Sequence, residues 1–150
     1  MKNIIKSAAA LVLFTASVFA GDLVNVSGAS KAAVSGFDTV AFFTESKPVN
    51  GSPFITSEYQ GAVYYFASEE HKNLFVKNPE KYVPQFGGFC AFGVAIDKVL
   101  PVDISTWQIR DGKLYLNLNQ EILKKYNAEF KENTAKAEKN WPGLVKANNQ

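Results

Sequence analysis

The chain has few of the side chains from which most protein chemistry is built. It holds one cysteine, one histidine and one methionine in 150 residues. A lone cysteine excludes an intramolecular disulfide, so stability must come from packing. Soft copper(I) prefers thiolate or thioether sulfur and a closed zinc site takes four ligands, so one thiol and one imidazole do not complete either site within one chain. No histidine-rich or cysteine-rich tract, internal repeat or low-complexity linker is present. The chain is short of the paired carboxylates that hydrolytic acid–base chemistry uses.

Long apolar runs are also missing, apart from Ala8 to Phe19, which is too short to span a bilayer. With Lys2 and Lys6 before it and the small residues Val18 and Ala20 after it, residues 1–20 read as a secretory leader cut near Ala20. The mature chain then begins at Gly21, and no cysteine follows the cut for lipid attachment. The expected location is periplasmic or secreted. Sixteen Lys+Arg less Lys2 and Lys6 leave fourteen against fourteen Asp+Glu, so the mature chain is close to neutral. That balance excludes nucleic acid and anionic membrane as expected partners.

Aromatics are plentiful. Thirteen of the twenty lie between Phe37 and Phe92, which puts the centre of one compact core there. Residues 21–35 are small and polar and read as an extended lead-in. The run from Gly36 to Phe43 is apolar enough to be buried, and Lys47 to Gly51 reads as a turn. Ser57 to Gln60 and Ala62 to Phe66 flank Gly61 as a hairpin with Tyr59, Tyr64 and Phe66 inward. Ser68 caps a helix with Glu69 and Glu70 in its first turn, and Asn78-Pro79 ends it. After a short turn through Tyr82, the Gly87-Gly88-Phe89-Cys90 stretch predicts backbone packed against the core.

Asp111-Gly112 between Trp107 to Arg110 and Lys113 to Leu118 predicts a second hairpin. From Asn119, the residues Ile122, Tyr126, Phe130, Thr134, Ala137 and Trp141 form one stripe on a long helix, with Pro142-Gly143 as its expected end. The fold class expected is α+β: a small antiparallel sheet from two β-hairpins, packed by a short helix and a long C-terminal helix.

Four segments carry a family resemblance: Gly36-Phe37-Asp38-Thr39-Val40-Ala41-Phe42-Phe43, Tyr59 to Ser68, Asn78-Pro79-Glu80-Lys81-Tyr82 and Gly87 to Ala95. In order and spacing they resemble the YHS domain family, and more closely its exported single-domain bacterial branch, whose members end in a helix much like Asn140-Trp141-Pro142. The resemblance implies a domain over residues 36–146. Some YHS domains resemble treble-clef metal-binding modules, with a leading cysteine pair and a Cys-x-x-x-Cys or Cys-x-x-x-His pair. Here that second pair falls on Ala67 and His71, and the leading pair is absent.

The function expected is a non-enzymatic binding protein that takes copper or zinc weakly, or across a homodimer supplying Cys2His2. Cys90 and His71 are the candidate ligands, with Asp38 and Glu70 as carboxylate helpers. Competing readings stay open. Cys90 among phenylalanines and glycines also suits a small buried hydrophobe, His71 a solvent-facing side chain, and Asp38 a cap. A metal-free module for a small ligand or a periplasmic partner protein would use Tyr59, Tyr64, Tyr82 and Phe89 as pocket walls. A cysteine-dependent enzyme would need Cys90 as nucleophile and His71 as base, without an evident third orienting group.

Overall fold

The computed structural model describes residues 23–149. The leader expected over residues 1–20 lies outside them. The architecture is α+β. β1 (Val26–Ser27) and β2 (Ala32–Ala33) form a small antiparallel ribbon, and α1 (Thr39–Thr44) follows. Next come β3 (Ser52–Tyr59), β4 (Ala62–Phe66), α2 (Glu69–Lys77), α3 (Pro79–Tyr82) and α4 (Ala91–Ala95). β5 (Asp103–Arg110), β6 (Lys113–Asn117), α5 (Gln120–Ala128) and α6 (Phe130–Asn148) complete the chain.

The first sheet has the order β1-β2-β4-β3, in which β2 joins β4 in parallel through Ala32 and Val63. The lead-in is thus part of the sheet, with Ala32, Ala33 and Val34 buried. Both hairpins expected from the sequence form, and they belong to separate sheets. Their turns, Gln60-Gly61 and Asp111-Gly112, hold positive φ at both central residues, the geometry whose twist matches paired strands.

Strand alternation divides the interior. Ala62, Tyr64 and Phe66 of β4 face inward while Val63 and Tyr65 are half-buried. Phe75 of α2 fills the space above them, with ring centroids 4.7 Å from Tyr64 and 5.0 Å from Phe66. β6 is covered on both faces. Leu114 and Leu116 point into this first core, whereas Tyr115 points into a second one with Phe86, Val94, Tyr126, Ala137 and Leu144.

The C-terminal stripe differs from the single helix expected. The backbone leaves helical geometry at Glu129 (φ −132°, ψ 50°), dividing α5 from α6. Asn133 explains how the break is tolerated, because its Nδ2 donates to the carbonyls of Lys125 (3.3 Å) and Tyr126 (3.1 Å), which would otherwise end α5 unpaired. Pro142-Gly143 does not end the helix, which continues to Asn148. A proline removes one bond to the carbonyl four residues earlier. That carbonyl belongs to the exposed Glu138, and burial of Leu144 in the second core holds the following turn.

Tyr126 ties the two helices together through a 2.6 Å hydrogen bond to Thr134. Burial pushes its phenol up to about 12. The unfolded chain releases this proton from about pH 10, the folded chain only near 12, so the unfolded state binds fewer protons between those values. The contribution of Tyr126 to stability is therefore complete below pH 10 and is lost as pH rises through 12. Urea unfolding across this window will show that decline, and Tyr126→Phe will lessen it without removing it, since burial also raises the Tyr64 and Tyr115 phenols, while costing about 1 kcal/mol at neutral pH through the lost bond to Thr134.

Candidate functional site

The site is built on two helix starts. Asp38 precedes α1 as its N-cap, and its backbone is fixed by donation from its own N–H to the Val49 carbonyl at 2.8 Å. Its Oδ1 accepts from the N–H groups of Val40 (2.9 Å) and Ala41 (3.3 Å). Its Oδ2 accepts from the Ala67 N–H at 2.8 Å, just past the end of β4. The same oxygen lies 2.7 Å from Nδ1 of His71. The carboxylate is fully buried, and a buried charge persists only where donors surround it.

His71 is the third residue of α2, where its N–H donates to the Ser68 cap hydroxyl at 3.1 Å. That placement turns its ring back toward Asp38. An ionised carboxylate only accepts, so Nδ1 carries the proton of this contact, and in that tautomer the lone pair lies on Nε2. Nε2 faces Thr44 Oγ1 at 3.4 Å and Glu45 Oε1 at 3.8 Å, at the far end of α1. The imidazole is 12% exposed. One nitrogen is therefore held by the interior and the other opens toward a hydroxyl and a carboxylate near the surface.

Cys90 occupies a different environment. It is fully buried and caps α4 through Sγ, which accepts from the Gly93 N–H at 3.3 Å. The thiol lies 3.7 Å from Asn117 Oδ1, which also takes the Phe92 N–H at 3.1 Å. Among the described residues, Cys90 and His71 share no hydrogen-bonding partner. Glu70 is exposed in the first turn of α2 and makes no ion pair among the described residues. Among those residues, no group of three or more histidine, cysteine, aspartate or glutamate side chains is arranged to hold a metal ion.

Of the four pocket candidates, Tyr64 and Tyr82 are buried in the first core, and Tyr59 is half-buried with its ring edge-on to Phe75. Phe89 packs against Trp141 at 6.3 Å. One cavity of about 300 Å³ is bordered by Tyr64, Phe86 and Trp141, and another of about 500 Å³ by Phe42, Phe43 and Trp107. Neither is lined by Cys90 or His71. The sequence reading missed Thr44 and Glu45. Both follow the apolar run of α1, and only the position of α2 across that helix's end brings them to the imidazole.

Residues 40–86 match the family model of the YHS domain. The match supports the family resemblance over that segment, which runs from α1 to the turn before Gly87 and carries Glu45 and His71 but not Asp38 or Cys90. No curated protein and no solved structure matches the chain. No helix among the described residues is long and apolar enough to cross a membrane.

Two outcomes follow from this geometry. Asp38→Ala leaves three backbone donors and the imidazole without their acceptor and will destabilise the fold by roughly 3–5 kcal/mol in chemical denaturation, whereas His71→Ala, which leaves only the carboxylate short of one donor, will cost about 1–3 kcal/mol. The Cys90 thiol will react with a small alkylating reagent at neutral pH far more slowly than a free thiol, and denaturant will restore the rate, because reagent reaches sulfur only through opening of the chain around α4.

Proposed function

We propose that this protein is an exported, non-enzymatic member of the single-domain bacterial YHS branch that binds a divalent transition ion, zinc or copper(II), weakly and reversibly at His71 and Glu45. The observation that carries this reading is the 2.7 Å contact between Asp38 and Nδ1 of His71. A carboxylate behind an imidazole is the arrangement that orients metal-binding histidines and raises the basicity of the other nitrogen. Here that nitrogen faces outward with a carboxylate oxygen 3.8 Å away.

Zinc–nitrogen and zinc–oxygen bonds of about 2.0–2.2 Å at a tetrahedral angle separate the two ligands by roughly 3.4 Å. A few tenths of an ångström of movement by the exposed Glu45 side chain closes the difference. A closed four-ligand site does not fit this chain, since two protein donors face the opening and Cys90 is fully buried as the cap of α4. Water, or a second copy giving His2Glu2, completes the coordination. Export is supported by the positive, apolar and small-residue order of residues 1–20, and the metal-free alternative rests on a different place, the cavity beside Trp141.

Calorimetric titration with zinc and with copper(II) tests the proposal. One ion per chain is expected, or one per two chains with metal-dependent dimerisation in size-exclusion chromatography. His71→Gln should abolish binding, Glu45→Gln should weaken it about tenfold or more, and Cys90→Ser should leave it unchanged. Binding that survives both His71→Gln and Glu45→Gln in folded protein would sink the reading.

A further inference from the structure

The helical glutamates of the C-terminal region are not equivalent. Glu121 pairs with Lys125 at 2.9 Å and Glu132 with Lys136 at 2.6 Å, each four residues on. Four residues after Glu138 stands Pro142, and three after it Trp141. Glu138 makes no ion pair among the described residues. It borders instead the cavity of about 300 Å³ whose walls include Trp141, Pro142, Phe86 and Tyr64.

This cavity is fixed in shape. Phe86 is held at φ 53°, a left-handed conformation rare for a phenylalanine, and Gly87 follows at φ 60°. A Cβ on Gly87 would lie 2.0 Å from the Leu23 carbonyl oxygen, so only glycine lets the lead-in chain close that wall. Asn25 then donates to the Gly87 carbonyl at 2.8 Å. Trp141 is set edge-to-face against Phe86 at 6.0 Å, which fixes the plane of the indole. The charge of Glu138 is also felt nearby: burial first, and this carboxylate second, hold the Tyr115 phenol above its ordinary value.

We infer that the cavity bounded by Trp141, Phe86, Tyr64 and Glu138 is a binding site for a small organic cation, an amine or methylated ammonium. Indole gives the strongest aromatic attraction for a cation, and a neighbouring unpaired carboxylate adds charge complementarity that a neutral or anionic ligand does not share. Among the described residues, no lysine, arginine or histidine lines the cavity to oppose a cation. With neither histidine nor cysteine there, its donor set does not suit a transition metal. This site is separate from His71, and either assignment stands if the other falls.

The test is a titration of the protein with choline, followed by NMR at the indole N–H of Trp141. The uncharged carbon isostere, in which a tert-butyl group replaces trimethylammonium, is the control. A saturable shift is expected for choline, with affinity at least about fivefold above that of the isostere. Glu138→Gln, a surface substitution that leaves the helix intact, should weaken choline binding roughly three- to tenfold. Trp141→Phe, which keeps a smaller ring and is followed by calorimetry because the indole probe is gone, should weaken it by a similar factor. Equal binding of the isostere, unchanged affinity in Glu138→Gln, or no saturable shift at Trp141 would each overturn the assignment.

Discussion

The Asp38 carboxylate is the constraint on which the rest of this fold is arranged. A fully buried charge costs several kcal/mol unless the protein replaces the water it loses. Here three backbone N–H groups and one imidazole do so, and they come from three separate places: the start of α1, the end of β4 and the first turn of α2. The acceptor therefore fixes how two helices leave a sheet. Capping of α2 by Ser68 serves the same end, since it places the third residue of that helix where its ring reaches back to the carboxylate. The side chain that caps one helix orients the chemistry on another.

β6 plays the corresponding part for the rest of the chain. It contributes leucines to one core and a tyrosine to the other, and it also forms isolated bridges to Pro84 and Cys90. Asn117 at its end holds the Cys90 thiol and the start of α4. Cysteine at this point acts as a small apolar group with a weak acceptor, and a sulfur fully committed to a cap and an amide has no geometry left for an external ligand. Asn140 extends the connection by donating to the carbonyls of Val94 and Ala95, which fastens α6 to α4.

Much of this was legible in the sequence where the signal was local. Asp111-Gly112, Gly61 and the Ser68 cap specify their own turns and helix start, and Asn78-Pro79 ends α2 as expected. The break at Glu129 was not legible, because the stripe from Ile122 to Trp141 keeps its period while Asn133, a residue of no obvious periodic role, satisfies the carbonyls at the break. Pro142 misled for a related reason: its local preference is outweighed by burial of Leu144 two residues later. At the site, Asp38 and His71 were each visible as chemistry, but the sequence offered Cys90 as partner because it was the scarce residue. Glu45 looked like one more surface acid. Its meaning arises only from a helix laid across its end.

The way Asp38 is satisfied also decides what kind of site His71 can make. An aspartate that bound metal directly would have to release the donors that hold α1 and β4, so it is too deeply engaged in the fold to serve as a ligand. It acts from behind, through Nδ1, and this leaves one imidazole nitrogen facing out beside Glu45. Such an arrangement is short of ligands from within and open from outside. Any ion held there exchanges readily unless a second molecule supplies the missing donors, which suits capture and handover rather than permanent structural binding. The cavity at Trp141 follows the opposite logic, with walls fixed by Gly87 and Phe86 before any guest arrives. One site would be completed by its partner, and the other is shaped in advance.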